Sequence, residues 1–133
     1  MSYTNLLDLD AALRIALEFS EPAAVVIKHT NPCGVATGAT IDAAYVRARE
    51  ADSLSAYGGI VGLNKHVDVA TARALTSTFI EAVIAPSIEG EALAILAARQ
   101  NMMSTNQSTP LHVSSIWEAA IENGSNATNP SSA

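Results

Sequence analysis

The hydrophobic positions of the chain form short apolar runs that alternate with segments of helical spacing. Three runs, at residues 23–28, 59–63 and 79–84, are apolar on both faces and predict buried strands. Between these runs, one helix is predicted to start at Thr40 or Asp42 and to run to about residue 51, and another short helix is predicted over 69–76. This alternation predicts β-α-β units, and therefore an α/β protein with a parallel sheet and helical crossovers.

Two more helices are predicted on either side of these units. An apolar face that runs to about Ser20 predicts a first helix, with Asp8 or Asp10 as its N-cap. A last Ala- and Leu-rich helix is predicted over residues 89–99, because acidic residues open it and an arginine closes it. The segment 29–38 contains a proline and two glycines, which predict a loop after the first strand.

The composition changes abruptly after Met103. Residues 104–133 are rich in Ser, Thr, Asn and Gln, with one short amphipathic island at 113–121 around Trp117. Such a composition buries too little apolar surface to offset the entropy of ordering. The sequence therefore predicts one folded unit over residues 1–103 and a polar, disordered tail over 104–133.

Composition and charge narrow the classes of function. The 133 residues carry a net charge of −6 and no basic stripe, so nucleic acid is not an expected partner. No segment approaches the ~20 apolar residues of a membrane span, and no leader precedes the first helix, which together predict a cytoplasmic protein. Cys33 is the only cysteine, which excludes an intrachain disulfide and a cysteine metal cage.

The strongest candidates for chemistry are Lys28 and His29, at the end of the first apolar strand. A histidine can take a proton from a weak nucleophile such as an amine, and a neighbouring lysine can stabilise the oxyanion formed on an attacked carbonyl. The alternative is a lysine whose stem covers apolar surface and a histidine that faces solvent. Residue types alone favour this structural interpretation.

Other polar positions leave similar alternatives. The turn that starts at Asn31 could direct backbone N–H donors at an anion, or it could be a simple loop corner. Cys33, within this turn, is a weak candidate for a nucleophile. Tyr57 and Gly58 could stack a flat ligand against a close backbone, or form a strand-entry turn. Glu81 lies inside an apolar run, where a carboxylate needs a partner or a ligand, unless it points outward. His66 and His112 are predicted to be surface residues.

Four segments carry motifs in a fixed order: SYTN at 2–5, KHTNPCG at 28–34, DSLSAYGGIV at 52–61 and FIEAVIAP at 79–86. In order and spacing they resemble the aminoimidazole carboxamide ribonucleotide (AICAR) formyltransferase domain of bifunctional purine biosynthesis enzymes. The resemblance spans about residues 2–101. One departure is a serine at position 53, where the family has proline.

The resemblance implies formyl transfer from the co-substrate 10-formyltetrahydrofolate to the exocyclic amine of AICAR, on the path to inosine monophosphate. His29 would accept the amine proton and Lys28 would stabilise the tetrahedral intermediate, while Gly58 and Glu81, with Asn31 and Tyr57, would contact the nucleotide. The implied fold is a cytidine-deaminase-like three-layer α/β/α sandwich without the deaminase zinc, so no metal is expected.

The resemblance also predicts what this chain lacks. Family members continue with a second deaminase-like lobe, so we expect one incomplete lobe, little or no activity alone and no cyclohydrolase activity. A partial sheet predicts self-association, in line with a homo-oligomer. The competing hypothesis is a non-catalytic binding module on the same scaffold, with the tail as a partner-docking segment.

Overall fold

The computed structural model of the chain describes residues 3–103, and the side-chain surroundings of residues 7–98. The helices are α1 (Tyr3–Ala16), α2 (Ile41–Glu50), α3 (Ser53–Ala56), α4 (Val69–Leu75) and α5 (Gly90–Met103), and the strands are β1 (Ala23–Lys28), β2 (Asn31–Thr37), β3 (Gly59–Leu63) and β4 (Ile80–Ile84). The predicted tail, its island around Trp117 and His112 lie outside the described residues.

The four strands form a mixed sheet in the order β2-β1-β3-β4. β1 runs antiparallel to both β2 and β3, and only β3 and β4 are parallel. The prediction of a parallel sheet was therefore wrong for β1, and the predicted loop at 29–38 was wrong because most of it forms β2. The chain reverses in a two-residue turn at His29 and Thr30 and pairs Lys28 with Asn31. Pro32 is tolerated in β2 because β2 is an edge strand.

The sheet separates two apolar clusters, because alternate strand residues face opposite sides. On one side α1 packs on Val25, Ile27 and Ile60. On the other side α2, α4 and α5 pack on Val26, Val61 and their strand neighbours. This arrangement confirms the predicted α/β/α sandwich of three layers.

The first helix begins earlier than its predicted caps. α1 starts at Tyr3, so Asp8 and Asp10 lie inside the helix and neither is its N-cap. Asp10 is exposed and pairs with Arg14 at 2.9 Å, whereas Asp8 is only 4% exposed. The sequence thus placed a buried carboxylate at a helix end, although it belongs to the face that packs on the sheet.

The other predicted elements are confirmed within a few residues. Thr40 caps α2 by accepting a hydrogen bond from the Ala43 amide, and Asp68 caps α4 in the same way through Thr71. The one-turn helix α3, capped by Asp52, was not predicted. It ends directly before the turn that leads into β3.

Asn64 joins the end of β3 to the α1–β1 connection. Its buried side-chain oxygen accepts from the Ala23 amide at 2.8 Å, and its amide group donates to the carbonyls of Phe19 and Glu21 at 3.0 and 2.7 Å. The first of these bonds gives the buried Ala23 amide its partner, and the other two hold the chain before β1 against Asn64. They fix the start of β1, and through it the position of Lys28.

Candidate functional site

The mixed sheet brings the candidate residues together at one edge, meaning here the edge formed by the ends of the strands and not an outer strand. Because β1 is antiparallel to β3, the carboxyl end of β1 lies beside the amino ends of β3 and β4. In a wholly parallel sheet Lys28 and Gly58 would lie at opposite edges, separated by a strand length of about 17 Å for five residues. The pairing that the sequence did not predict is therefore what brings the predicted residues together.

Lys28 contacts the segment before β3. Its Nζ donates to the Tyr57 carbonyl at 2.5 Å, and it lies 3.8 Å from where a Cβ on Gly58 would stand. The Lys28 side chain is half-buried, whereas Tyr57 is 55% exposed. A cation held in this way beside open surface can stabilise negative charge on a bound molecule.

His29 lies at the tip of the β1–β2 hairpin, with Thr30 as the second turn residue. Their φ angles are 54° and 63°, and both residues are exposed. The Thr30 amide donates to Asp8 Oδ1 at 2.8 Å, and Asn31 Nδ2 donates to the His29 carbonyl at 3.1 Å. Positive φ at both central positions is the requirement of a type I′ turn, which glycine and asparagine meet most readily. A histidine and a β-branched threonine at these positions store backbone strain.

Gly58 makes the turn into β3 and also has a positive φ, 75°. Its amide donates to the Phe79 carbonyl at 2.9 Å, and the rings of Tyr57 and Phe79 lie 5.6 Å apart at 52°. The exposed Tyr57 ring, tilted against Phe79 and next to a glycine, offers a stacking surface and close access to backbone. The structure thus places Tyr57 and Gly58 beside Lys28, as the predicted site requires.

Glu81 occupies a bulge in β4. Gly59 pairs with Ile80 and the next residue, Ile60, pairs with Ala82, so Glu81 is the extra residue. The bulge reverses the alternation of the strand, since Ile80 packs on one side of the sheet and Ala82 on the other. Glu81 is half-buried at the same edge as Lys28, about 10 Å away across two strand spacings.

A second bulge, in β2, holds Cys33. Val26 pairs with Gly34 and Ile27 with Pro32, and the Cys33 thiol donates to the Val26 carbonyl at 3.5 Å. Burial raises the pKa of Cys33, and the charge of Asp52 raises it further, although a hydrogen bond from the backbone amide of Cys33 itself and the charge of Lys28 lower it. The thiol is therefore poorly suited to be a nucleophile.

Two residues of this edge were missed by the sequence analysis. Asp8 was interpreted as a helix cap, and Thr30 was passed over as a loop residue. Helical spacing in the sequence could have identified Asp8, because it precedes Ala12 and Ala16 by four and eight residues and so shares their helix face. In the structure both alanines are fully buried. Thr30 gave no signal, because its role depends on its backbone amide.

His66 lies at the opposite end of the sheet. Its Nδ1 is 2.7 Å from the Ser87 hydroxyl, at the carboxyl ends of β3 and β4. The imidazole is exposed, as predicted. His66 is therefore a suitable control for experiments on His29.

Residues 3–103 contain no group of three His, Cys, Asp or Glu side chains that could hold a metal ion. In the same range no helix has both the length and the apolar character that crossing a bilayer requires.

Comparison with known proteins gives consistent matches. The sequence model of the AICARFT/IMPCHase bienzyme family matches residues 1–124. The chain is 59% identical over 103 residues to the bifunctional purine biosynthesis protein PurH of Myxococcus xanthus, and 56% identical over 102 residues to that of Bacillus subtilis. Each match covers 77% of this chain but 20% of the relative. The chain thus spans about a fifth of the length of the curated relatives it matches.

Solved structures show the fold. Acinetobacter baumannii RibD, form 1, superposes with a TM-score of 0.64 at 14% identity, covering 91% of this chain and 39% of that one. Form 2 of the same protein gives a TM-score of 0.55 at 15% identity. The likeness confirms the predicted deaminase-like fold.

Proposed function

The chain belongs to the AICARFT/IMPCHase bienzyme family, and on that basis we propose that it carries the Lys28–His29 part of an AICAR formyltransferase site. The relatives are named as purine biosynthesis proteins, which supports a role in that pathway. The proposed reaction transfers a formyl group from 10-formyltetrahydrofolate to the 5-amino group of AICAR. We propose the cytoplasm as its location.

The proposal rests on the identity of the two residues that form the hairpin turn. His29 and Thr30 fill both positive-φ positions of a turn where glycine would relieve the strain. A histidine at such a position, exposed and next to a half-buried lysine, is better explained by chemistry than by folding. This argument favours the catalytic interpretation over that of a solvent-facing strand end.

The chemical step assigns one role to each side chain. The amine nitrogen of AICAR attacks the formyl carbon, forming a C–N bond and a tetrahedral oxyanion that Lys28 stabilises. His29 takes the proton that the amine loses. Collapse of the oxyanion restores the carbonyl and breaks the bond to N10 of the folate, which takes up a proton as tetrahydrofolate leaves.

The remaining candidates are proposed to bind the nucleotide. Tyr57 and Gly58 offer a stacking surface with access to backbone, and Glu81 offers a carboxylate at the bulge of β4. Asn31 is exposed beside His29 and bonds its carbonyl. The distance of about 10 Å between the ends of β1 and β4 suits a ligand of nucleotide size.

Calorimetric titration of the chain with AICAR tests the site. We expect weak binding that is lost in Lys28→Ala and reduced in Tyr57→Ala, with His66→Ala as the matched control. Absence of AICAR binding by the unmodified chain, or binding that is indifferent to Lys28, would refute the assignment.

The isolated chain is proposed to turn over little or no substrate. It spans about a fifth of its relatives, and the candidate residues occupy one edge of one sheet. Purified chain with AICAR and 10-formyltetrahydrofolate should form no tetrahydrofolate, and no inosine monophosphate should form from the formylated nucleotide. Robust turnover abolished by His29→Ala would contradict the inactivity and leave the site assignment intact.

Self-association is proposed on separate grounds. Leu54 is 86% exposed and lies three residues from the exposed Tyr57, so the surface beside the site carries large apolar side chains. Sedimentation velocity over a range of concentrations tests the proposal. A monodisperse monomer at all concentrations would refute it.

A further inference from the structure

We propose that Asp8 is the positioning residue for His29: its buried carboxylate holds the Thr30 amide and thereby fixes the strained turn that presents the imidazole. The proposal rests on the role proposed for His29. Asp8 would act through the backbone and touch neither substrate.

The contact is specific and buried. Asp8 is 4% exposed, and its Oδ1 accepts the Thr30 amide at 2.8 Å. Asp8 is fixed in turn by α1, whose residues Leu9 and Ala12 are buried against the sheet. A charged acceptor makes one of the stronger hydrogen bonds, and the low dielectric of a buried position strengthens it further.

The bond opposes the preference of the turn residues. His29 and Thr30 have φ angles of 54° and 63°, which non-glycine residues avoid. Relaxing Thr30 to a negative φ would turn its N–H away and leave the buried carboxylate without this donor, which is costly. The carboxylate therefore stabilises the one turn conformation that the side chains disfavour.

Through Asp8, the packing of α1 on the sheet determines where the His29 imidazole lies. The imidazole is exposed and lies at the tip of the hairpin, so its direction follows from the backbone of the turn. The other bonds of the turn are local, from Thr30 Oγ1 and Asn31 Nδ2 to the His29 carbonyl. Asp8 alone among these groups connects the turn to the core.

Nuclear magnetic resonance of the full chain tests the contact directly. In the unmodified protein we expect a scalar coupling across the hydrogen bond between the Thr30 nitrogen and the Asp8 carboxyl carbon, with three-bond couplings that report positive φ at His29 and Thr30. Absence of both signals in the folded protein would overturn the proposal without any substitution.

Variants separate positioning from general stability. In Asp8→Ala, amide exchange of Thr30 should accelerate by roughly tenfold or more, and the turn couplings should change. Asp8→Asn keeps an acceptor oxygen and should restore both, and Asp10→Ala, on the exposed face of α1, should leave both unchanged. If Asp8→Ala does not fold, the double variant with Thr30→Gly should, because glycine adopts the turn without strain.

The binding measurement distinguishes this proposal from the proposed function. Asp8→Ala should weaken AICAR binding about tenfold relative to Asp8→Asn, as expected for loss of an ordered group. If the unmodified chain does not bind AICAR, the proposed function fails, and the turn couplings still decide the role of Asp8. An Asp8→Ala protein with unchanged couplings and Thr30 exchange would overturn the positioning role.

Discussion

The backbone angles of two residues explain why the hairpin was difficult to predict and why it is informative. His29 and Thr30 form the β1–β2 turn without glycine, asparagine or aspartate, so the usual signal of a two-residue hairpin is missing. The chemistry of His29 was nevertheless visible in the sequence as a polar pair after an apolar strand. Residue type thus predicted the candidate, and only the structure revealed the strain.

Thr30→Gly should stabilise the protein. Glycine adopts φ near 63° without strain, and its amide can still donate to Asp8, so we expect a gain of about 0.5 to 1 kcal/mol despite the flexibility of the unfolded chain. Urea unfolding followed by circular dichroism measures it. Ala39→Gly is the control, because Ala39 is exposed with an ordinary φ and should lose about 0.4 to 1 kcal/mol. Equal losses in both variants would show that the turn is unstrained.

The positions of the helices and strands were predicted better than the relative directions of the strands. The apolar runs identified β1, β3 and β4, because a strand covered on both faces has apolar residues on both, apart from polar positions near its ends such as Lys28 and Glu81. Such a run does not indicate whether its neighbours are parallel, and the helix between β1 and β3 suggested a crossover. β2 was missed because Pro32, Cys33 and Gly34 are typical of a loop, whereas an edge strand with a bulge accommodates them.

Gly34→Ala should be strongly destabilising through the packing of α2 on β2. A Cβ at Gly34 would stand 1.9 Å from the Ala48 carbonyl oxygen, which is backbone and cannot move without displacing the helix. We expect a loss of about 3 kcal/mol or more in urea unfolding. Gly90→Ala is the matched control, since nothing lies within 4 Å of its added Cβ. A loss in Gly34→Ala no larger than in Gly90→Ala would contradict the close approach.

The start of α4 should make stability depend on pH. Hydrogen bonds from the Thr71 hydroxyl and amide hold the pKa of Asp68 below its usual 3.8. A carboxylate whose pKa is lowered by folding stabilises the protein above its unfolded pKa and loses that effect as the pH falls through its folded pKa. Asp68→Ala should therefore cost about 1 kcal/mol at pH 7 and less below pH ~4.

Urea unfolding at pH 7 and at pH 3 measures the change at Asp68. Asp10→Ala is the control, because the exposed Asp10–Arg14 pair contributes little at either pH. A cost of Asp68→Ala that is the same at both pH values would show that the charge of Asp68 does not contribute to the cap.

At the scale of the whole molecule, the site depends on a reversal of chain direction that the three layers by themselves do not require. The turn at residues 29 and 30 makes β2, sets β1 antiparallel to β3, and so places Lys28 beside Tyr57 and Gly58. The three-layer class followed from the sequence because both faces of the strands are apolar and helices alternate with them. The assembly of the site did not, since the predicted parallel order would have separated its parts.

A chimaera tests whether the site around Lys28 and His29 supports formyl transfer when the rest of a relative is present. Residues 1–101 would replace the matching segment of the Bacillus subtilis relative, to which the chain is 56% identical over 102 residues. We expect formyl transfer in the chimaera, with kcat reduced by about 10²- to 10⁴-fold in His29→Ala, because general-base catalysis contributes on that order. Lys28→Ala should cost about 10²- to 10³-fold through loss of oxyanion stabilisation.

His66→Ala is the control in the chimaera, because its imidazole is exposed at the far end of the sheet, where it contacts the Ser87 hydroxyl. It should leave kcat unchanged. A parent chimaera that is active and indifferent to His29→Ala would refute the catalytic role of His29. An inactive chimaera that still folds and binds AICAR would place the deficiency in this segment, and the departure at Ser53, next to the cap of α3, is then the first position to restore to proline.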